Sequence, residues 1–200
     1  MLLQPYLLLR YSDLMQYKDQ LRDAMKERLA RLSEKDREAE SRSLYRRVLE
    51  LLPDDVASVC AFVPMPDEVN VQMLLDELLA KDVPVFLPRF EMGKLAFRRT
   101  EDLTALEKGA LGTMEPPVMA EELDPAQVSH VLVPGRAFDR NGGRLGRGNG
   151  GYDHWIGPQR NANPQTVFWG VCFDCQLVHE VPMEGHDERM DAVVTARGIV

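Results

Sequence analysis

An alternation between short apolar runs and longer segments of helical periodicity constrains the fold of this chain more than any other feature. Residues 56–63 (VASVCAFV) form an apolar run that stops at a proline, residues 70–81 have the helical period, and residues 83–87 form a second short run. Short apolar runs are typical of buried strands, and apolar residues three and four positions apart form one face of a helix. The pattern continues less regularly through residues 95–98, 130–133 and 167–173. It predicts an α/β fold, a single-domain mixed, mostly parallel sheet with helices on both faces.

Two amphipathic helices are predicted before the first strand. Within residues 17–32, apolar side chains recur at spacings of three and four, namely Leu21, Met25, Leu29 and Leu32. Ser33 is followed by Glu34 and Asp36, a pattern typical of an N-cap with acidic residues in the first turn. We therefore expect a second helix that begins after Ser33 and ends before Pro53.

Composition and charge argue against several classes of function. The net charge is −8 and the basic residues form no long run, so nucleic-acid binding is disfavoured. No window approaches the roughly 18 continuous apolar residues of a membrane span, and the apolar start lacks a basic region and is interrupted by Pro5, unlike a signal peptide. Three sparse cysteines suit a reducing compartment. We expect a soluble cytoplasmic protein, a monomer or weak homodimer, that binds neither nucleic acid nor a membrane.

A glycine-rich segment follows the apolar run that ends at Val133. Seven glycines fall between Gly135 and Gly151. Glycine allows successive backbone N–H groups to converge on one point, a geometry that holds phosphate oxygens. Arg144 and Arg147 add positive charge there, and the residues after Gly151 resemble the start of a helix, which also favours an anion. The segment is predicted to bind phosphate rather than to be only a flexible surface loop.

Two better-known phosphate motifs do not fit this segment. The spacing Gly146-x-Gly148-x-x-Gly151 matches the dinucleotide fingerprint, but twelve residues separate Val133 from Gly146, whereas that motif opens directly from a strand. No Gly-Lys-Ser/Thr ending is present, which excludes a P-loop. A carboxylate beside bound phosphates would repel them unless a divalent cation lay between, so Asp153 implies Mg²⁺.

Several motifs together resemble the 5-formyltetrahydrofolate cyclo-ligase family, also called methenyltetrahydrofolate synthetases. The most specific is Pro-Gly-x-x-Phe-Asp at residues 134–139 followed by Arg-Leu-Gly-x-Gly-x-Gly-x-Tyr-Asp at residues 144–153. The others are Lys18-x-x-Leu-Arg22, Pro64-x-x-Asp-Glu68-Val, Leu87-Pro88-Arg89, Gly112-x-x-Glu115-Pro116 and His186-Asp187-x-x-x-Asp191. The resemblance runs from Met15 onward. We therefore expect residues 1–14 to be an N-terminal extension, with Met15 as a second possible start, and residues 15–200 to form a single domain of this family.

The resemblance implies an enzyme that uses ATP and Mg²⁺ to convert 5-formyltetrahydrofolate into 5,10-methenyltetrahydrofolate, with release of ADP and phosphate. Two other functions stay open at this point. One is a non-catalytic paralogue that binds folate or nucleotide as a sensor or regulatory partner. The other is an enzyme of the same scaffold that acts on another N-formyl or amide compound.

The resemblance also implies roles for individual residues. The residues implied for ATP binding are Lys18, Arg22, Arg144, Leu145, Gly146, Arg147, Gly148, Asn149, Gly150, Gly151 and Tyr152. Those implied for the folate substrate are Val63, Glu68, Arg147, Gly148, Asn149, Gly150 and Gly151. Arg147 and Asp153 are implied in catalysis, and Asp153 and Asp187 in metal binding. Two of these roles make simple chemical sense: Lys18 and Arg22 share one helix face, and the Glu68 carboxylate can accept paired N–H donors from the pterin.

Three other features need an interpretation. Gly151 stands where many members of the family carry an aromatic residue. Arg89 is a possible partner of a phosphate or of the glutamate tail. Cys172-x-x-Cys175 is a single pair on an apparent strand, so a structural role is favoured over a metal or redox site, and His186 is expected to be solvated rather than a ligand.

Overall fold

Helices and strands alternate along most of the chain, and the computed structural model describes residues 11–109 and 112–200. The helices are α1 (Tyr11–Arg31), α2 (Glu34–Leu51), α3 (Gln72–Ala80) and α4 (Gly151–Ala162). The strands are β1 (Val59–Cys60), β2 (Val85–Glu91), β3 (Lys94–Thr100), β4 (Glu107–Lys108), β5 (Met114–Glu115), β6 (His130–Val133), β7 (Ala137–Phe138), β8 (Arg144–Leu145), β9 (Val167–Val171), β10 (Ala192–Thr195) and β11 (Gly198–Ile199). The predictions about the first ten residues lie outside the described residues.

Seven strands form the main sheet, in the order β11-β10-β9-β6-β1-β2-β3. The five central strands pair in parallel, β1 with β2 and β6, and β9 with β6 and β10. Both edges are antiparallel, because β3 folds back on β2 and β11 folds back on β10. The predicted mixed, mostly parallel sheet is confirmed, with antiparallel pairs at both edges.

Helices cover both faces of this sheet, as predicted. Side chains of successive strand residues point to opposite faces. Val59, Val85 and Leu132 belong to the core that includes Leu44 and Val48 of α2 and Leu74 and Leu78 of α3. Their neighbours Cys60, Phe86 and Val131 belong to a second core that includes Ile156 of α4. Because both faces of the central strands are buried, their sequences are continuous apolar runs rather than alternating apolar and polar residues.

The strand predicted at residues 56–63 is much shorter in the structure. Only Val59–Cys60 is regular strand, although Ala61 N–H still donates to the Phe86 carbonyl at 3.0 Å. Phe62 and Val63 then leave the sheet and line a cavity at its carboxyl end. The apolar run was a correct sign of burial, but burial continues past the point where strand pairing stops.

The first two helices lie where the sequence predicts them. The Ser33 side chain accepts a hydrogen bond from Asp36 N–H and caps α2, as predicted. The structure extends α1 to Tyr11, so the proposed boundary at Met15 falls inside a continuous helix. Met25 of α1 packs in a small core with Ala137 and Leu145, which attaches α1 to the β7–β8 hairpin. None of the helices in the described ranges is long and apolar enough to cross a membrane.

Candidate active site

The glycine-rich segment lies at the carboxyl end of the parallel sheet. After β6 ends at Val133, the chain forms the β7–β8 hairpin and then residues 146–150, which we call the glycine loop, before α4 begins at Gly151. Two of its glycines have left-handed backbone conformations, Gly148 with φ of 100° and Gly150 with φ of 66°. The carboxyl ends of parallel strands are where ligands usually bind in open α/β sheets. The hairpin between strand and loop agrees with the exclusion of a dinucleotide fold.

A cavity of about 390 Å³ opens beside this loop. All of the residues implied by the family resemblance line it, although they come from distant parts of the chain: Lys18, Arg22, Val63, Glu68, Arg144, Leu145, Gly146, Arg147, Gly148, Asn149, Gly150, Gly151, Tyr152, Asp153 and Asp187. Arg89, by contrast, is not among the residues described as lining it, and its guanidinium donates to the Pro116 carbonyl at 2.7 Å. The volume suits a small organic ligand.

Lys18 reaches one side of the cavity from α1. Its side chain is nearly buried, and its ammonium bonds to Glu184 Oε2 at 2.7 Å and to Asp187 Oδ2 at 2.5 Å. Burial alone would lower the pKa of Lys18, but these bonds outweigh it and raise the pKa. Four residues along α1, Arg22 donates to the Gly146 carbonyl at 3.1 Å, so the two cations share a face as predicted.

An acidic cluster, formed by Glu184, His186 and Asp187, lies around the Lys18 ammonium. One ligand atom from each residue lies within 4.8 Å of those of the other two. Within the described part of the chain, it is the one group of three or more His, Cys, Asp or Glu side chains that lie closely enough together to hold a metal ion. His186 is two-thirds exposed, with Nε2 3.7 Å from Asp187 Oδ1. The sequence pointed to Asp187 but not to Glu184, and the spacing Glu184-x-His186-Asp187 was the signal available.

Asp153 does not belong to this cluster. Its Oδ2 pairs with Arg144 Nη2 at 2.8 Å in a largely buried contact, and its Oδ1 accepts from Glu188 N–H at 3.2 Å. The Arg144 guanidinium also lies 5.5 Å from the centre of the Tyr152 ring. Both carboxylate oxygens of Asp153 are therefore engaged by the protein, and its assignment as a metal ligand stays a prediction.

Arg147 lines the cavity and pairs with residues of the β1–α3 connection. Its Nη2 and Nε donate to Glu68 Oε1 at 2.9 and 3.2 Å, and Nη2 also bonds to Asp67. Glu68 Oε2 accepts from Met65 N–H at 3.0 Å. On its other side Asp67 bonds to Arg136. Sequence reasoning gave Asp67 no role, although it is the Asp of the Pro64-x-x-Asp-Glu68-Val motif. It missed Arg136, which has no periodic or motif signal that separates it from an ordinary surface charge.

One wall of the cavity is apolar. It includes Phe62, Pro88, Phe90 and Leu95, of which Phe90 and Leu95 flank the turn between β2 and β3. A Cβ built on Gly151 would lie 3.8 Å from the Phe90 ring and 4.0 Å from Leu95, an ordinary contact. The sequence did not identify this wall, because Phe90 of β2 and Leu95 of β3 have no pattern that distinguishes them from other strand residues.

The Tyr152 hydroxyl is a neutral donor beside the cavity. It is buried against the cavity and has no hydrogen-bond partner among the residues of the described ranges. Burial first, and the nearby Glu68 carboxylate second, raise the pKa of this hydroxyl above its ordinary value. A buried donor without a partner is energetically unfavourable and is available to a ligand.

The cysteines lie apart from this site. All three are free, and burial raises the pKa of the Cys60 and Cys172 thiols. High pKa values make thiols poor nucleophiles and poor metal ligands. The preference for a structural role of the Cys172-x-x-Cys175 pair agrees with these environments.

Comparisons with known proteins converge on one family. The sequence profile of the 5-formyltetrahydrofolate cyclo-ligase family matches residues 14–196. The chain is 36% identical to 5-formyltetrahydrofolate cyclo-ligase of Mycolicibacterium smegmatis, covering 92% of this chain and 96% of that protein. It is 33% identical to the Escherichia coli K12 protein of the same name, over 69% and 77% of the two chains. Among solved structures, 5,10-methenyltetrahydrofolate synthetase from Aquifex aeolicus is similar, with a TM-score of 0.77, 30% identity and 91% coverage of both chains.

Proposed function

This chain belongs to the 5-formyltetrahydrofolate cyclo-ligase family and is an enzyme of that family, and we propose that it converts 5-formyltetrahydrofolate into 5,10-methenyltetrahydrofolate using ATP and Mg²⁺. The resemblance read from the sequence motifs is thereby confirmed at the level of the family. The use of ATP, the requirement for Mg²⁺ and the residue roles are the proposal's own content. The three free cysteines accord with action in the cytoplasm.

One observation supports this function most. Residues from α1, the β1–α3 connection, the glycine loop and the acidic cluster meet around one cavity, with four cationic side chains concentrated near the loop. These are Lys18, Arg22, Arg144 and Arg147. Transfer of a phosphoryl group is catalysed mainly by positioning and by neutralising negative charge. Each of these cations is paired with a carboxylate in this structure, so ATP phosphates would have to take the place of those carboxylates.

The folate would occupy the side of the cavity between Glu68 and the apolar wall. A pterin is flat and apolar on its faces, and its amino-pyrimidine edge offers paired N–H donors. Phe90 and Leu95 would pack against the faces of the pterin, and the Glu68 carboxylate would accept hydrogen bonds from its amino-pyrimidine edge. The unpartnered Tyr152 hydroxyl adds one donor for a polar substrate atom.

The nucleotide would lie along the glycine loop. Backbone N–H groups of the loop and the start of α4 favour phosphate oxygens. Glu184 and Asp187 offer the hard carboxylate oxygens that Mg²⁺ prefers, and the cluster already accommodates the positive charge of Lys18. When bound there, Mg²⁺ would supply charge neutralisation to the triphosphate. Asp153 would join this set only after it releases Arg144.

The proposed chemistry needs no protein nucleophile. The formyl oxygen attacks the γ-phosphorus, the bond to the β-phosphate oxygen breaks, and ADP leaves. N10 then attacks the activated formyl carbon, loses its proton to solvent, and phosphate departs with the former formyl oxygen. Arg144 and Arg147 would stabilise charge on the transferring group.

The direct test follows the absorbance of the methenyl product. Purified protein is mixed with 5-formyltetrahydrofolate, ATP and Mg²⁺, and parallel reactions omit ATP or Mg²⁺. We expect product, ADP and phosphate in equal amounts, and no product without ATP. Measurable binding of folate without turnover would favour the sensor function and overturn the proposal. Turnover only with a different N-formyl compound would reassign the substrate.

A further inference from the structure

Asp67 links three segments that surround the cavity. Its carboxylate bonds to Arg147 of the glycine loop on one oxygen and to Arg136 on the other. The backbone of Arg136 is itself held, because its N–H donates to the Leu145 carbonyl at 2.6 Å. Asp67 does not line the cavity in the described part of the chain, whereas its neighbour Glu68 does. Asp67 therefore acts on the site through Arg147.

The Glu68 carboxylate is bonded to Arg147 in this structure, and the proposed function requires the same carboxylate to bond the substrate. Glu68 Oε1 accepts two N–H groups from Arg147, at 2.9 and 3.2 Å, and Oε2 accepts from Met65. If Glu68 accepts the N–H donors of a pterin, as the proposed function requires, its bonds to Arg147 must be replaced. If Glu68 were its only carboxylate partner, Arg147 would either leave the cavity or hold Glu68 and prevent it from bonding the substrate. Arg147 has a second carboxylate, and it is Asp67.

We propose that Asp67 is a positioning residue for the folate-binding step, which keeps Arg147 at the cavity while Glu68 exchanges Arg147 for the substrate. This inference rests on the proposed function. Arg136 holds the second oxygen of Asp67, so the carboxylate cannot turn away when the Glu68 contacts break. The two carboxylates share Arg147 when the cavity is empty, and Asp67 alone holds it when folate is bound.

The charge of Asp67 persists over the working range of pH. Partial burial would raise the pKa of Asp67, but the bonds from Arg147 and Arg136 outweigh it and lower the pKa. Asp67 is therefore an anion wherever the substrate is bound near neutral pH. An amide at this position would have the same shape but would hold Arg147 less strongly.

The test compares Asp67→Asn with wild type in two measurements. Equilibrium binding of 5-formyltetrahydrofolate without ATP should weaken about tenfold, the scale of one charge-assisted hydrogen bond. In steady-state assays the KM for folate should rise by a similar factor while kcat changes less. Asp55→Asn is the matched control, since Asp55 is exposed and does not line the cavity in the described ranges. Asp67→Glu keeps the charge and should restore part of the affinity.

A second background separates positioning from a purely structural role. In Arg147→Met, the substitution Asp67→Asn should change folate affinity by less than twofold, because the residue through which Asp67 acts is absent. An equal loss of affinity in both backgrounds, or unchanged folate affinity in Asp67→Asn, would overturn the inference. Thermal unfolding of each variant identifies a folding defect, and Arg136→Gln tests the same link if Asp67→Asn does not fold. Failure of the proposed function can be distinguished from failure of this inference, because the wild-type protein itself would then not turn over 5-formyltetrahydrofolate.

Discussion

Replacing Asp153 by Asn should both destabilise the protein and slow its reaction. The substitution keeps the shape of the side chain and removes one negative charge. In the folded protein that charge lies 2.8 Å from Arg144 Nη2, and the side chains are only 13% and 3% exposed, so water screens the pair little. Asn can still accept from Glu188 N–H through its side-chain oxygen. The main loss is thus the counter-charge of a buried guanidinium.

The size of the stability change follows from what Arg144 keeps. Hydrogen bonds to charged groups contribute about 1.5–3 kcal/mol, and leaving one partner of a buried pair alone costs about 3–5 kcal/mol. Arg144 retains the Pro134 carbonyl at 3.3 Å and the Tyr152 ring, so the loss should lie in the upper part of the first range and below the second. We expect the free energy of unfolding to fall by about 2–3 kcal/mol, or Tm by roughly 5–10 °C for a chain of this size.

Two assays check the prediction separately. Denaturant unfolding measures stability, and a cycle with Arg144→Met measures the pair itself, since the double variant should lose less than the sum of the single variants. Turnover at saturating Mg²⁺ should fall at least about tenfold, equivalent to ~1.4 kcal/mol of transition-state stabilisation. Additive stability losses would refute the buried-pair argument. Unchanged turnover in folded Asp153→Asn would remove Asp153 from the metal site.

Three further predictions concern other parts of the molecule. Lys18→Met removes the cation held by the acidic cluster, so Mg²⁺ should bind the protein about tenfold more tightly in the absence of nucleotide, while turnover should fall. An unchanged Mg²⁺ affinity in calorimetry would contradict this prediction. Gly148→Ala should destabilise the protein by about 1–2 kcal/mol, because the φ of Gly148 is 100°. Gly151→Ala should be tolerated, because a Cβ at position 151 makes only ordinary contacts. Equal effects of the two substitutions in thermal unfolding would refute the argument. Burial lowers the pKa of His130, so below its unfolded pKa of about 6.5 the unfolded state binds more protons and stability falls with falling pH. Replacing His130 by Asn or Gln should make the free energy of unfolding depend less on pH between pH 7 and about 5. If the pH dependence is unchanged, another titrating group is responsible for it.

The sequence by itself determined the fold class and singled out the segment around which the candidate site is built. Residues 130–133 appear as a strand at the predicted bounds, because a strand buried on both faces leaves an uninterrupted apolar run. The cap at Ser33 was also readable, since capping depends on residues close in sequence. The glycine-rich segment could be recognised because the residue types that favour phosphate binding, glycine and arginine, lie within a few positions of one another.

Partnerships between distant residues were decided only by the tertiary structure. Asp153 and Asp187 carry the same side chain, yet the fold pairs one with Arg144 and the other with Lys18. The sequence likewise could not show that Asp67 bridges Arg136 and Arg147, which lie 69 and 80 positions away. Such contacts depend on which strands are neighbours in the sheet, and that order follows from packing over the whole chain rather than from any local pattern. The arginine residues of the glycine-rich segment could be identified from the sequence, but their pairing with particular carboxylates could not.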